Sequence, residues 1–403
     1  MLMYLPFLYR NGKYYKKDNM RVIKLSALGF VFFVLSLVTL ISCGENRNVE
    51  NVGKIVKFTL QKDIDSLPID AKYIPLETPE GCLIGSVDQL AMTDDAIFIL
   101  ESDQEHGGMY VFDKDGRFVT RIGNRGRGPG EYILPMSFTI NSELIGILDG
   151  GMNKLLYYDI HTFEFVRQRP IFNSTYFEWL DDKTMVWGND ESNPEIPYSE
   201  FSYVVTDTSL DVNVGYLDKV IRSGYSIMTG KPVYRFKDEV RMYASFIPTV
   251  YRGTAENCTP VYTIDFDRFE LPPAKYMEKI SRNNQCYFDE LENSGYVSSY
   301  GFFETTGALC VRYMVKHEKY IGLYSKANGQ GFACKKDDFE RKISHKYSYI
   351  SGVIGDYFVA PLFIPLLREN PDDVKLLPPD LKRIVDVSSD GDNPILFLFK
   401  PGV

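Results

Sequence analysis

From Leu83 onward the chain repeats one pattern: short apolar runs separated by polar or glycine-bearing turns, with almost no long helical period. LAMTDDAIFIL (90–100), GMYVFDKDGRFVTRIG (108–123), SFTINSELIGILDG (137–150) and KLLYYDIHTFEFVRQ (154–168) each read as two strands around a turn. The second and fourth correspond, because Tyr110-Val111-Phe112-Asp113 precedes Leu156-Tyr157-Tyr158-Asp159 by about 46 residues. The first and third correspond through 94–100 and 141–148. A spacing in the forties with four strands per unit is the signature of propeller blades.

Later units are longer and less regular. Residues 184–217 make a third, 241–271 a fourth and 296–329 a fifth, while YSYISGVIGDYFVAPLFI (347–364) begins a sixth. The expected fold is therefore all-β, a six-bladed β-propeller of four-stranded antiparallel blades. One short helical insertion is expected before the C-terminal strand, over Glu369–Val387 and broken at Pro378 and Pro379. The run 394–399 then closes the ring, with FTLQ (58–61) or YIPLET (73–78) pairing with the final blade so that no edge stays open.

The N-terminus departs from this pattern. RVIKLSALGFVFFVLSLVTLISC (21–43) has a basic start, an apolar run from Leu25 and a small residue before Cys43, the layout of a secretory signal. Its last four residues, LISC, resemble a bacterial lipobox, which makes Cys43 the lipidation site and turns a spanning segment into an anchor. The competing reading is a plain transmembrane anchor over Leu25–Ser42. The expected organisation is a signal peptide at 1–42, a lipidated linker at 43–52 and the propeller at 53–403. Residues 1–19, upstream of Met20, are an over-extended start or a longer basic region.

Composition narrows the partners. The full chain has a formal charge of −9, and removing residues 1–42 takes away six basic and one acidic residue, leaving −14. An exported domain this acidic is a poor match for nucleic acid, whose phosphates call for a basic face. The 28 Tyr and 27 Phe favour β-structure. Besides Cys43 there are five cysteines with no CxxC pair, which argues against zinc and favours buried free thiols over a disulfide framework.

RIGNRGRGPGEYILP (121–135) concentrates glycine, arginine and proline. A phosphate loop needs G-x-x-x-x-G-K-[ST], and here Pro129 separates Gly128 from Gly130, with Glu131 and Tyr132 following. A dinucleotide fingerprint fails because the glycines do not open a helix. The stretch is expected to be a crossover between blades, with glycines supplying positive φ and Glu131 bonding loop amides or pairing with Arg125 or Arg127. In the functional alternative, Arg125 and Arg127 face an anionic ligand at one end of the propeller.

IPLETPEGCLIGSVDQL (74–90), YVFDKDGRFVTRIGNRGRGPGEY (110–132) and DNPILFLFK (392–400) together resemble the six-bladed β-propeller lipoproteins abundant in Bacteroidetes, whose repeats are similar to NHL repeats. The likeness is strongest over 73–159 and at the C-terminus, and weakest over 179–346. It implies fold and export to the cell envelope, periplasmic-facing or on the surface, and no particular reaction.

No catalytic set stands out. The four histidines, His106, His161, His317 and His345, are far apart and are expected on exposed turns, without HExxH spacing. No G-x-S-x-G elbow is present. Asp113–Gly116 and Asp390–Asn393 read as β-turns rather than calcium loops. No cofactor or metal is implied. Tyr176, Phe177, Trp179 and Trp187 form either a sugar-stacking platform or packing between blades. The candidate ligand-binding residues are Arg125, Arg127, Glu131, Tyr132, Trp179 and Trp187. The leading function is binding of a glycan, peptide or partner protein at one end of the channel; a hydrolase or lyase assembled from several blades and a non-catalytic envelope scaffold are the alternatives.

Overall fold

The computed structural model describes residues 53–402 apart from 104, 190–195, 221–230 and 283–285, so the expected signal peptide and lipidation site at Cys43 lie outside the described residues. Six sheets of antiparallel strands succeed one another along the chain. Blade 1 is Gln89–Met92, Ala96–Glu101, Gly108–Asp113 and Phe118–Ile122; blade 2 is Pro135–Ile140, Leu144–Asp149, Lys154–Asp159 and Phe165–Pro170. Blade 3 is Phe177–Trp179, Thr184–Gly188, Phe201–Asp207 and Val212–Asp218; blade 4 is Val233–Phe236, Glu239–Met242, Thr249–Gly253 and Cys258–Asp265. Blade 5 is Ser299–Glu304, Ala308–Val315, Glu318–Ser325 and Gly331–Lys335. Blade 6 takes Gly352–Ile354, Tyr357–Leu362 and Ile395–Pro401 from the C-terminal region and Ile69–Pro75 from the N-terminal region.

The apolar runs are continuous rather than alternating because both faces of each blade are buried. In Ala96–Glu101, Ile97 and Ile99 pack toward blade 6 with Val359, Leu396 and Leu398. Phe98 and Leu100, on the other face, pack toward blade 2 with Phe138, Ile147 and Leu156. The same division gives one apolar core between each pair of neighbouring blades, and these six interblade cores hold the ring together.

Ring closure is supplied by the expected YIPLET stretch, whose Tyr73, Ile74 and Pro75 pair antiparallel with Phe397, Leu396 and Ile395. FTLQ does something different: Thr59–Leu60 adds a parallel strand outside blade 5, and Lys54–Lys57 does the same outside blade 4. The N-terminal segment thus runs along the outer edges of blades 4, 5 and 6 in turn, covering backbone groups that would otherwise be open.

Two expectations about elements are corrected. Helix is more abundant than one insertion: Ala274–Ser281 and Tyr287–Asn293 lie between blades 4 and 5, Lys336–Ile343 between blades 5 and 6, and Ile364–Arg368, Pro371–Leu376 and Pro379–Val387 within blade 6. These helices are nine residues at most and offer the core no more than a pair of residues each, such as Met277 and Ile280, too few to register as a period. The third and fourth units also begin earlier than their sequence runs suggested, at Phe177 and Val233. Their inner strands carry Glu178 and Arg235, which interrupt the apolar pattern.

The histidine expectation holds for His106, His161 and His317, which are exposed, and fails for His345, which is buried. Its ring meets Phe397 edge-on, with centroids 4.6 Å apart. All five described cysteines are free thiols; Cys82, Cys310 and Cys334 are buried, whereas Cys258 is half-buried and Cys286 exposed.

Candidate functional site

Residues 123–134 connect the outer strand of blade 1 to the inner strand of blade 2. The loop is held by its own contacts: Glu131 accepts from the Gly128 amide at 2.7 Å, and the buried Tyr132 hydroxyl donates to the Ile122 carbonyl at 2.8 Å. Asp149 accepts from the amides of Leu134 and Ile133 at 2.9 and 3.2 Å, and Lys154 donates to the Glu131 carbonyl at 2.6 Å. Two glycines are required outright. Gly123 and Gly130 have φ of +66° and +71°, and a Cβ at Gly130 would stand 2.8 Å from the Phe165 ring. Arg125 reaches the Ile133 carbonyl at 3.4 Å and is exposed, as are neighbouring loop residues; Arg127 is exposed too.

The aromatic group sits between blades. Trp187 is fully buried, stacked on Phe177 at 5.2 Å, and its Nε1 donates to Thr206 Oγ1 at 2.9 Å. Trp179 is 7% exposed and packs 6.1 Å from Tyr157. The structure therefore does not bring the two tryptophans together with Arg125, Arg127, Glu131 and Tyr132; they occupy the core between blades 2 and 3, while the loop lies between blades 1 and 2.

Polar residues converge elsewhere. A cavity of about 540 Å³ follows the propeller axis and is lined by all six blades, through 88–93, 138–140, Glu178, residues 231 and 234–237, 302–306, and 351–353 with 355. It lies toward the end formed by the first hairpin turn of each blade. The 121–135 crossover belongs to the opposite end, since outer-to-inner connections and first hairpin turns cap opposite ends of a blade.

Inner strands have one unpaired edge facing the axis, and this protein partly covers it with side chains. Gln89 clamps the edge of blade 2, its Oε1 accepting from the Phe138 amide at 3.0 Å and its Nε2 donating to the Phe138 carbonyl at 2.6 Å. Lys231 Nζ donates to the same carbonyl at 3.0 Å.

Glu178 is nearly inaccessible and fully engaged. Oε2 pairs with Lys231 Nζ at 3.0 Å; Oε1 accepts from the Thr139 hydroxyl and, at 3.1 Å, from the Trp179 amide. Arg235 stands 4.0 Å away. Burial pulls the Lys231 ammonium below its ordinary range, and Glu178 opposes that pull.

Glu304, from blade 5, is the second hub, with no side-chain exposure. Oε2 receives Arg241 Nε at 3.2 Å and the Tyr234 hydroxyl at 3.4 Å. Oε1 receives Lys326 Nζ at 2.7 Å and the Tyr262 hydroxyl at 2.8 Å. Burial lowers the Lys326 ammonium and, with Glu304 beside it, holds the Tyr234 hydroxyl well above its usual range. Between the hubs, the Phe236 ring carries Lys326, Arg241 and Lys237 at 4.3, 5.4 and 5.5 Å from its centroid.

The geometry agrees with the comparisons. The DUF5128 profile, described as a 6-bladed beta-propeller, matches residues 44–361. The chain belongs to this DUF5128 six-bladed β-propeller family. The crystal structure of a candidate exported protein from Bacteroides fragilis is 30% identical, covers 87% of this chain and 100% of its own, and superposes with a TM-score of 0.82. Weaker matches include U3-55K, 11% identical over 82% of this chain and 98% of its own, with a TM-score of 0.41. The extracellular domain of a hybrid two-component system of B. thetaiotaomicron is 12% identical, over 72% of this chain and 32% of its own, with a TM-score of 0.36. A comparison with curated proteins found no match.

Sequence reasoning missed the channel residues of this DUF5128 chain: Glu178, Lys231, Arg235, Lys237, Glu304 and Lys326. Glu178 had one usable signal, a carboxylate set between Phe177 and Trp179 in a run otherwise destined for burial. Lys231 and Lys326 had none, because their roles arise from partners 53 and 22 residues away.

Proposed function

We propose that this protein is an exported, lipid-anchored binding protein that takes a ligand, a glycan or peptide, into its axial channel. The observation that carries this is the six-blade cavity with two buried charge hubs, a concave site with few, fixed polar groups. Glu178 and Glu304 each hold several donors from neighbouring blades, a structural role that favours binding over a hydrolase or lyase. Export and anchoring rest on the LISC motif ending at Cys43 and on the Bacteroides relative described as a candidate exported protein.

Thermal unfolding of the full chain in detergent, against a panel of polysaccharide fragments and peptides, tests the channel. A ligand bound only by the native state raises Tm. Thr306→Trp, at an exposed position on the cavity wall, plugs the channel without touching an interblade core. A ligand that shifts the wild type and not Thr306→Trp supports the reading, and one that shifts both equally overturns it. For the anchor, labelled palmitate should enter the wild type and not Cys43→Ala.

A further inference from the structure

The following rests on the channel reading and adds the chemistry of the ligand. Around the Phe236 ring stand Lys237, Arg241 and Lys326, while Lys231 and Arg235, beside it on the blade 3 side, stand at Glu178. Against them are Glu178, Glu304 and, on the outer side of Arg241, Glu239, which is shared with Arg252 at 3.0 Å. Asp88 lines the wall contributed by blade 1, across the ring from blade 4, and its Oδ2 is taken by Ser86 Oγ and the Ser102 amide, both at 2.7 Å. Asp238 is exposed in the turn beside Lys237. On the blade 4 wall the exposed cations are Arg235 and Lys237, whereas Glu178 and Glu304 are buried and paired, in a chain whose overall charge is −9.

Arg235 and Lys237 are exposed to the cavity; Arg235 Nη2 donates to the Trp179 carbonyl, which fixes its fork at the wall, and among the described residues Lys237 makes no hydrogen bond or ion pair. Lys237 holds a left-handed backbone, φ +55°, in the two-residue turn between Phe236 and Glu239, a conformation that favours glycine. Low-dielectric walls concentrate the field of such charges, and an arginine fork beside an ammonium matches a carboxylate. Thr93, Thr306 and Ser351 contribute hydroxyls to the remaining wall.

We propose that the Phe236 corner of the channel binds the carboxylate of an acidic sugar, with Arg235 and Lys237 as its direct partners and the threonine and serine hydroxyls facing the sugar ring.

Calorimetric titration of the full chain with tri-galacturonate and with its neutral galactose counterpart, in low and moderate salt, tests this. The expected result is at least tenfold tighter binding of the acid, weakening as salt rises. Arg235→Gln and Lys237→Gly should each lose fivefold or more in affinity for the acid. Lys237→Gly should do so without lowering Tm, because it removes the charge while relieving the turn, which separates lost binding from lost folding. Equal affinity for acid and neutral sugar, wild-type affinity in both variants, preference for an acidic tripeptide, or no binding of the acid each overturn the proposal. If a neutral ligand still binds and Thr306→Trp abolishes that binding, the channel reading survives; binding indifferent to Thr306→Trp sinks both.

Discussion

Glu178 Oε2 lies 3.0 Å from Lys231 Nζ, joining the inner strand of blade 3 to the segment that enters blade 4. Both side chains are buried, so removing one charge strands the other. Glu178→Gln should destabilise the protein by about 3 kcal/mol, the range for breaking a buried pair. Pairing it with Lys231→Met should restore much of the loss, giving a coupling of about 1–3 kcal/mol. Urea midpoints of the two single variants and the double variant measure this, and strict additivity would contradict it.

Trp187 should behave as a core residue. Trp187→Ala empties a site packed by Phe172 and Phe177 and orphans the Thr206 hydroxyl, at a cost of about 3–5 kcal/mol. Its effect on any channel ligand should be confined to the unfolded fraction. A Trp187→Phe variant with near-normal Tm and abolished sugar binding would instead make it part of a ligand platform.

Acid should weaken the fold through His345. Its Nε2 lies 3.2 Å from the Tyr73 hydroxyl and its Nδ1 3.1 Å from the Lys346 carbonyl, and burial drives its pKa down to about 4. The unfolded chain, with a His pKa near 6.5, takes up the proton first. Its stabilising contribution is therefore full above about pH 6.5 and is lost progressively as pH falls toward 4, by on the order of 3 kcal/mol. Burial raises the Glu101 carboxyl, which gives a term of opposite sign, so the comparison to make is wild type against His345→Gln. The difference in their stability should shrink as pH drops through this window; a difference independent of pH would exclude His345 as its source.

The N-terminal segment should divide into a dispensable and an essential part. A chain beginning at Leu67 loses the two parallel outer strands on blades 4 and 5 yet keeps Ile69–Pro75, and should fold with a lower Tm. A chain beginning at Leu76 leaves the outer edge of Ile395–Pro401 unpaired and exposes Phe397 and Leu396, and should be insoluble or markedly less cooperative. Circular dichroism melts of the two truncations test the division.

Much of the fold was legible because propeller strands buried on both faces write themselves as unbroken apolar runs, and runs such as AIFIL and GILD recur with each blade. The lipobox-like LISC and the acidic balance are likewise properties of composition and order alone. Turn chemistry in 121–135 was readable from its glycines, which favour the φ of +66° and +71° found at Gly123 and Gly130.

The channel was decided by tertiary structure. The inner strands of blades 3 and 4 are short, three and four residues, and carry Glu178 and Arg235, so they show little pattern where they carry most chemistry. Glu178 meets Thr139 from blade 2 and Lys231 before blade 4, and Glu304 meets Tyr234, Arg241 and Tyr262 from blade 4. Local sequence encodes which strands are buried, because burial on both faces shows as an unbroken apolar run. It does not encode which charges meet across the axis, because that depends on how six separately folded sheets are turned around one centre.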